Sequence, residues 1–272
     1  MKNRFIVLID LSPFSAHLLR FAYEWGRRAG AEMLVVHNTS AVTPLMTPHE
    51  TKTQLIDMAN KEAWEKLKTC TETTLPAGTS VRHLVSEKNL VTTLRPLLEE
   101  RFFNVVFLGI KGTRLIKKFF IGSAAVHIID SIGNLIVAIP PNAPCCAPDV
   151  IHVAIQKNYP LNILEFNKFL RLNGEEISKI VFFSVIADDD DQNATEKYLN
   201  DLTELYSEKC DVAYELYIGK NARKDLKKVI QQKQHEFIVV QKGSRMLLDS
   251  MFRKYLINEL VYRGNTPLII VP

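Results

Sequence analysis

Residues 105–123, VVFLGIKGTRLIKKFFIGS, carry the pattern that decides the fold. Val105, Val106, Phe107 and Leu108 form a continuous apolar run, as expected of a strand buried on both faces of a parallel sheet. Gly109 and Gly112 follow that strand. Gly122 and Ser123 come after a basic and aromatic connector, just before the helical pattern AAVHIIDSI. Glycines at the exit of a strand let backbone N–H groups approach an anion without hindrance from Cβ. A helix starting at Ser123 adds unpaired donors and the positive end of its dipole. Together these features have the physics of a phosphate cradle. The plainer reading of the same glycines is tight turns or close packing with no ligand.

Outward from this stretch, strands and helices alternate. Residues 4–9 read as a buried strand ending at Asp10, and Ser12 and Pro13 supply an N-cap and an N1 proline for the helix that follows. Its stripe is Leu18, Phe21, Ala22 and Trp25, and it stops at Gly30. A second strand, 33–37, leads into a polar, proline-dotted loop and then a helix over 51–71 with Leu55, Met58, Ala59 and Trp64 on one side. A third strand at 81–85 precedes a helix capped by Asn89 and interrupted by Pro96. Residues 135–139 then read as a fifth strand.

Residues 140–148, PPNAPCCAP, have no periodicity and read as an interdomain linker. The adjacent Cys145 and Cys146 within it are a bland pair or, alternatively, a redox or metal pair. After the linker the pattern repeats, with strands at 150–155, 179–186, 212–218, 237–240 and 268–271 and helices at 162–172, 194–206 and 222–232. Lys111-Gly112-Thr113-Arg114 and Lys242-Gly243-Ser244-Arg245 lie about one domain apart, so an internal repeat is the economical explanation. The expected fold is α/β, with two tandem doubly wound, mostly parallel five-stranded sheets and helices on both faces, over residues 1–141 and 148–272.

The spacing of Gly109, Gly112, Gly122 and Ser123 is G-x2-G-x9-G-[S/T], and in this the chain resembles the universal stress protein family. The resemblance implies the strand order 3-2-1-4-5, and ligands of such sheets bind where the order reverses, beyond the carboxyl ends of strands 1 and 4. It also implies an adenine nucleotide, ATP or AMP, with or without Mg²⁺. Asp10, near Ser12, would lie against the nucleoside, and His37 with Asn38 would face the base, although the family has an apolar residue where Asn38 stands. Backbone amides of the glycine stretch would hold the phosphates, with Thr113 adding a hydroxyl and Arg114 a positive charge. Asp10 as a turn or capping carboxylate and His37 as a satisfied strand-end histidine are the ligand-free alternatives.

The second copy departs from this pattern. Aligned on Gly243, the places of Gly109, Gly122 and Ser123 are taken by Val240, Arg253 and Lys254, and Gln156 stands near the place of Asp10. The second half is therefore expected to bind no nucleotide in the same manner. The run Asp188 to Asp191 reads as favourable charge at a helix N-terminus rather than as a cation loop, because it lacks the spaced pattern that wraps an ion.

Composition narrows the function further. The chain has 272 residues, is 47% hydrophobic and 24% charged, and carries a net charge of +4. That is ordinary globular composition without a basic stripe for nucleic acid. The opening MKNRFIVLID lacks a signal-peptide core, and no apolar run is long enough to span a membrane, so a cytoplasmic location is expected. None of the four cysteines has metal-finger spacing. No combination of base, nucleophile and electrophile identifies a catalytic group. The reading is a nucleotide-binding regulatory module that self-associates, by intrachain domain pairing or as a homodimer, and acts on a protein partner. The rivals are a nucleotide-free dimerisation module and a slow ATPase.

Overall fold

The computed structural model describes residues 1–39, 48–110, 123–187, 190–219, 236–244 and 266–272. The chain divides into two compact units, one built on Met1–Gly109 and Ala124–Asn134, the other on Leu135–Pro272. In the first, β1 (Lys2–Ile9), α1 (Ser15–Arg28), β2 (Glu32–Asn38), α2 (His49–Thr74), β3 (Val81–Ser86), α3 (Leu90–Glu99) and β4 (Phe102–Gly109) alternate, and α4 (Ser123–Ser131) follows. Its strands lie in the order β3-β2-β1-β4, all parallel. Phe5, Ile6 and Val7 of β1 and Val105, Val106 and Phe107 of β4 have no exposed surface, which is why both strands are apolar on both faces. Trp25 of α1 packs edge-on against Phe107 with ring centroids 5.4 Å apart, and Phe5 lies 4.7 Å from Phe107.

Three local expectations meet this unit differently. Asn89 caps α3 as expected, its side-chain oxygen accepting the Thr92 N–H at 2.9 Å. The start of α1 is shifted: the helix begins at Ser15, with Phe14 at the cap and no side-chain capping bond. The cause is a turn in which Leu11 takes a left-handed backbone (φ 58°) and the Ser12 carbonyl accepts the Ser15 N–H at 2.9 Å. On α2 the buried side chains are Ala63, Leu67 and Thr71, at i, i+4 and i+8, whereas Leu55, Met58 and Trp64 are exposed. Trp64 instead has its ring beneath the Lys68 ammonium, 5.4 Å from the centroid.

Arg4 is fully buried where β1 begins. Its Nε donates to Asn104 at 2.8 Å and one Nη to Glu100 at 2.6 Å, the other Nη meets the Leu97 carbonyl, and the guanidinium lies 4.2 Å from the centre of the Phe102 ring. A charge taken out of water is thus fully partnered, and it closes the end of α3 beyond Pro96.

The second unit contains β5 (Leu135–Ile139), β6 (Val150–Ala154), α5 (Ile163–Asn173), β7 (Lys179–Ile186), α6 (Gln192–Tyr206), β8 (Asp211–Ile218), β9 (Glu236–Gln241) and β10 (Leu268–Val271). Here β8-β7-β6-β9-β10 is parallel throughout and repeats the expected 3-2-1-4-5 order. The strand count differs from two sheets of five, because β5 groups with this unit and pairs antiparallel with β10. Both strands, LIVAI and LIIV, are apolar on each face, and the pairing covers the outer edge of β10. The helix expected at 222–232 lies outside the described residues. Asn162 caps α5, accepting the Glu165 N–H at 3.3 Å. Between β6 and β9 the buried His152 donates from Nε2 to Glu236 at 2.9 Å. Among the described residues no helix is long and apolar enough to cross a membrane.

Candidate functional site

Parallel order puts the carboxyl ends of β1 and β2 side by side, with Ile9 paired to His37. Beyond them opens a cleft of about 440 Å³ lined by Leu8, Ile9, Asp10, His37, Asn38 and Leu90. It has the size of a small-molecule site, with apolar walls and a few convergent polar groups. Asp10 is exposed at its rim, and its Oδ1 accepts the Ser12 N–H and the Ser15 hydroxyl, each at 3.1 Å. The carboxylate thus shapes the β1–α1 turn while standing at the cleft.

His37 donates from Nδ1 to the Ile9 carbonyl at 2.8 Å, since a carbonyl only accepts. That bond fixes the ring and leaves Nε2 as the acceptor of the neutral imidazole. The ring also borders a second cleft of about 230 Å³, lined by Leu11, Thr39, Ala59, Glu62, Ala63 and Lys66. There the hydrogen bond from Lys66, at 2.6 Å, holds the Glu62 carboxyl below its usual range. Asn38 has its amide N–H groups engaged by the Ser86 and Lys88 carbonyls, the first at 2.9 Å. Only its carbonyl oxygen remains to meet a ligand.

Gly109 ends β4 in close contact with Phe14. A Cβ at this position would lie 2.5 Å from the ring of Phe14, so the space left by the missing side chain is filled by the protein itself. Ser123 opens α4. Gly112, Thr113, Arg114 and Gly122 lie outside the described residues. The structure therefore gathers Asp10, His37 and Asn38 around one cleft and places Gly109 under Phe14. Leu90, Leu11 and Phe14 were not singled out in the sequence. For Leu90 the cap at Asn89 was a signal, but a left-handed leucine and a ring over a distant glycine leave no local pattern.

The second unit has a cleft of about 150 Å³ at the matching end of its sheet, lined in part by Gln156, Lys157, Ser184, Asp190, Asp191 and Thr195. Its charged groups are engaged internally. Lys157 meets Asp191 at 3.0 Å, Asp191 accepts the Ala194 N–H at 3.0 Å as the cap of α6, and Asp190 accepts the Ala187 N–H at 2.8 Å. The Ala194 amide first, then Lys157, holds the Asp191 carboxyl below the usual range. Val240, fully buried, stands where the first half has Gly109. Gly243 is in a left-handed turn (φ 81°), which accounts for a glycine there without a ligand. Among the described residues no cluster of His, Cys, Asp or Glu fits a metal ion.

Residues 1–132 match the profile of the Universal stress protein family. Among solved structures, a universal stress protein from Archaeoglobus fulgidus superposes with a TM-score of 0.64 at 15% identity, over 99% of this chain and 98% of that one. A putative universal stress protein from Pseudomonas aeruginosa gives 0.54 at 10% identity, over 98% and 92%. A functionally unknown protein from the same species gives 0.55 at 10%, with the same coverage. At such identities the likeness speaks for the fold alone. Among curated proteins none matches the sequence.

Proposed function

Because residues 1–132 form a domain of the universal stress protein family, we propose that the protein binds an adenine nucleotide in that half and acts as a stress-response regulatory module. The observation that carries the reading is the cleft of about 440 Å³ beyond β1 and β2, with Asp10 and His37 on its wall. The Asp10 carboxylate would accept hydrogen bonds from ribose hydroxyls, and His37 Nε2 and the Asn38 carbonyl would accept from a base amino group. Backbone amides of the glycine stretch from Gly109 to Ser123 would hold the phosphates, with Mg²⁺ accompanying a di- or triphosphate. Occupancy then regulates by favouring the conformation, and the self-association or partner contacts, that the bound state stabilises.

Thermal unfolding with adenosine, AMP and Mg-ATP tests this reading. A ligand at 100 times its dissociation constant adds about 2.7 kcal/mol, which raises the melting temperature by several degrees. We expect an adenine-ligand-specific rise that is lost in Asp10→Ala and Gly112→Val. Absence of any rise, in protein freed of copurified nucleotide, favours the second reading, a nucleotide-free interaction module. The packing of Phe14 against Gly109 gives that reading its support.

A further inference from the structure

We infer that Phe14 determines the selectivity of this site, its ring over Gly109 making a nucleoside or nucleoside monophosphate better accepted than a triphosphate. The inference rests on the nucleotide reading above. Two observations converge on it. The cleft is walled by β1, β2 and the start of α3, through Leu8, Ile9, Asp10, His37, Asn38 and Leu90, and Gly109 is not part of that wall. On the β4 side, the volume freed by glycine is occupied by the ring of Phe14, with its atoms 2.5 and 2.8 Å from where a Cβ would be. Open space therefore exists where the nucleoside would bind. It is filled where a phosphate tail would approach the β4 backbone.

Phe14 is held in this place from α1. Its carbonyl accepts the His17 and Leu18 N–H groups at 3.1 and 3.2 Å, and its ring lies 5.3 Å from the His17 ring. A polyanion brought alongside this apolar ring loses water there, and a close contact with Gly109 requires the ring to leave its site. The nucleoside portion meets neither cost, so the penalty falls on the tail and grows with its length.

The test is isothermal titration of the full chain and of Phe14→Ala with adenosine, AMP and Mg-ATP. Removal of the ring should tighten Mg-ATP by about ten-fold and leave adenosine within about two-fold. Phe14→Leu, which keeps an apolar bulk at the position, should stay near the parent ratio and control for disturbance of the helix start. If adenosine and Mg-ATP bind both proteins with an unchanged affinity ratio, the selectivity role is overturned while the nucleotide reading stands. If no adenine ligand binds either protein, the nucleotide reading itself fails, and the inference with it.

Discussion

Tyr206, on the last turn of α6, has no exposed surface, and its hydroxyl has no hydrogen-bond partner among the described residues. Burial, aided by Tyr198, pushes its phenol up to about 12. The folded state thus keeps a proton that the unfolded chain releases near pH 10. The stability tied to it is complete below about pH 10 and is lost as the pH rises through about 12. Urea unfolding across that window should show a decline that is shallower in Tyr206→Phe, and identical slopes would refute the assignment. Near pH 8 the same substitution should leave stability unchanged or raise it by up to about 1 kcal/mol, since no buried bond is lost. At this scale the sequence was legible where a residue acts on its near neighbours, as Asn89 does at the start of its helix. It was illegible where the partner is remote: nothing local in the sequence sets the Phe14 ring against Gly109.

Helix α2 shows what periodicity conveys and what it hides. Its length was legible, but the choice of face was not, because Leu55, Met58 and Trp64 offered a stripe as plausible as that of Ala63, Leu67 and Thr71. The sheet decides between them, since β3 packs on the face that carries Leu67 and Thr71, where the Thr71 hydroxyl meets His83 Nε2 at 2.8 Å. Leu67→Ala should therefore cost about 2–5 kcal/mol in chemical denaturation, and Leu55→Ala should stay within about 0.5 kcal/mol of the parent. Equal effects would mean that the helix packs through the other face. Strand existence was legible throughout from apolar runs, whereas the partner of β5 was not. An LIVAI run shows that both faces are covered and says nothing about direction, and only the pairing with β10 makes it antiparallel.

On the scale of the whole molecule, Lys111-Gly112-Thr113-Arg114 and its later counterpart are read from the sequence as an internal repeat, with Val240 standing at the place of Gly109 in the second half. In the second unit Lys157 pairs with Asp191, and Asp190 and Asp191 accept backbone N–H groups beside their cleft. Titration should accordingly give one adenine nucleotide per chain, and a stoichiometry of two would return the second cleft to consideration. The antiparallel seam of β5 and β10 carries a consequence in time. During synthesis Leu135–Ile139 leaves the ribosome long before Leu268–Val271 exists, and at ordinary elongation rates the delay is on the order of ten seconds. A nascent chain stalled in that interval presents β5 without its final partner, an apolar strand open to chaperones or to a neighbouring nascent chain.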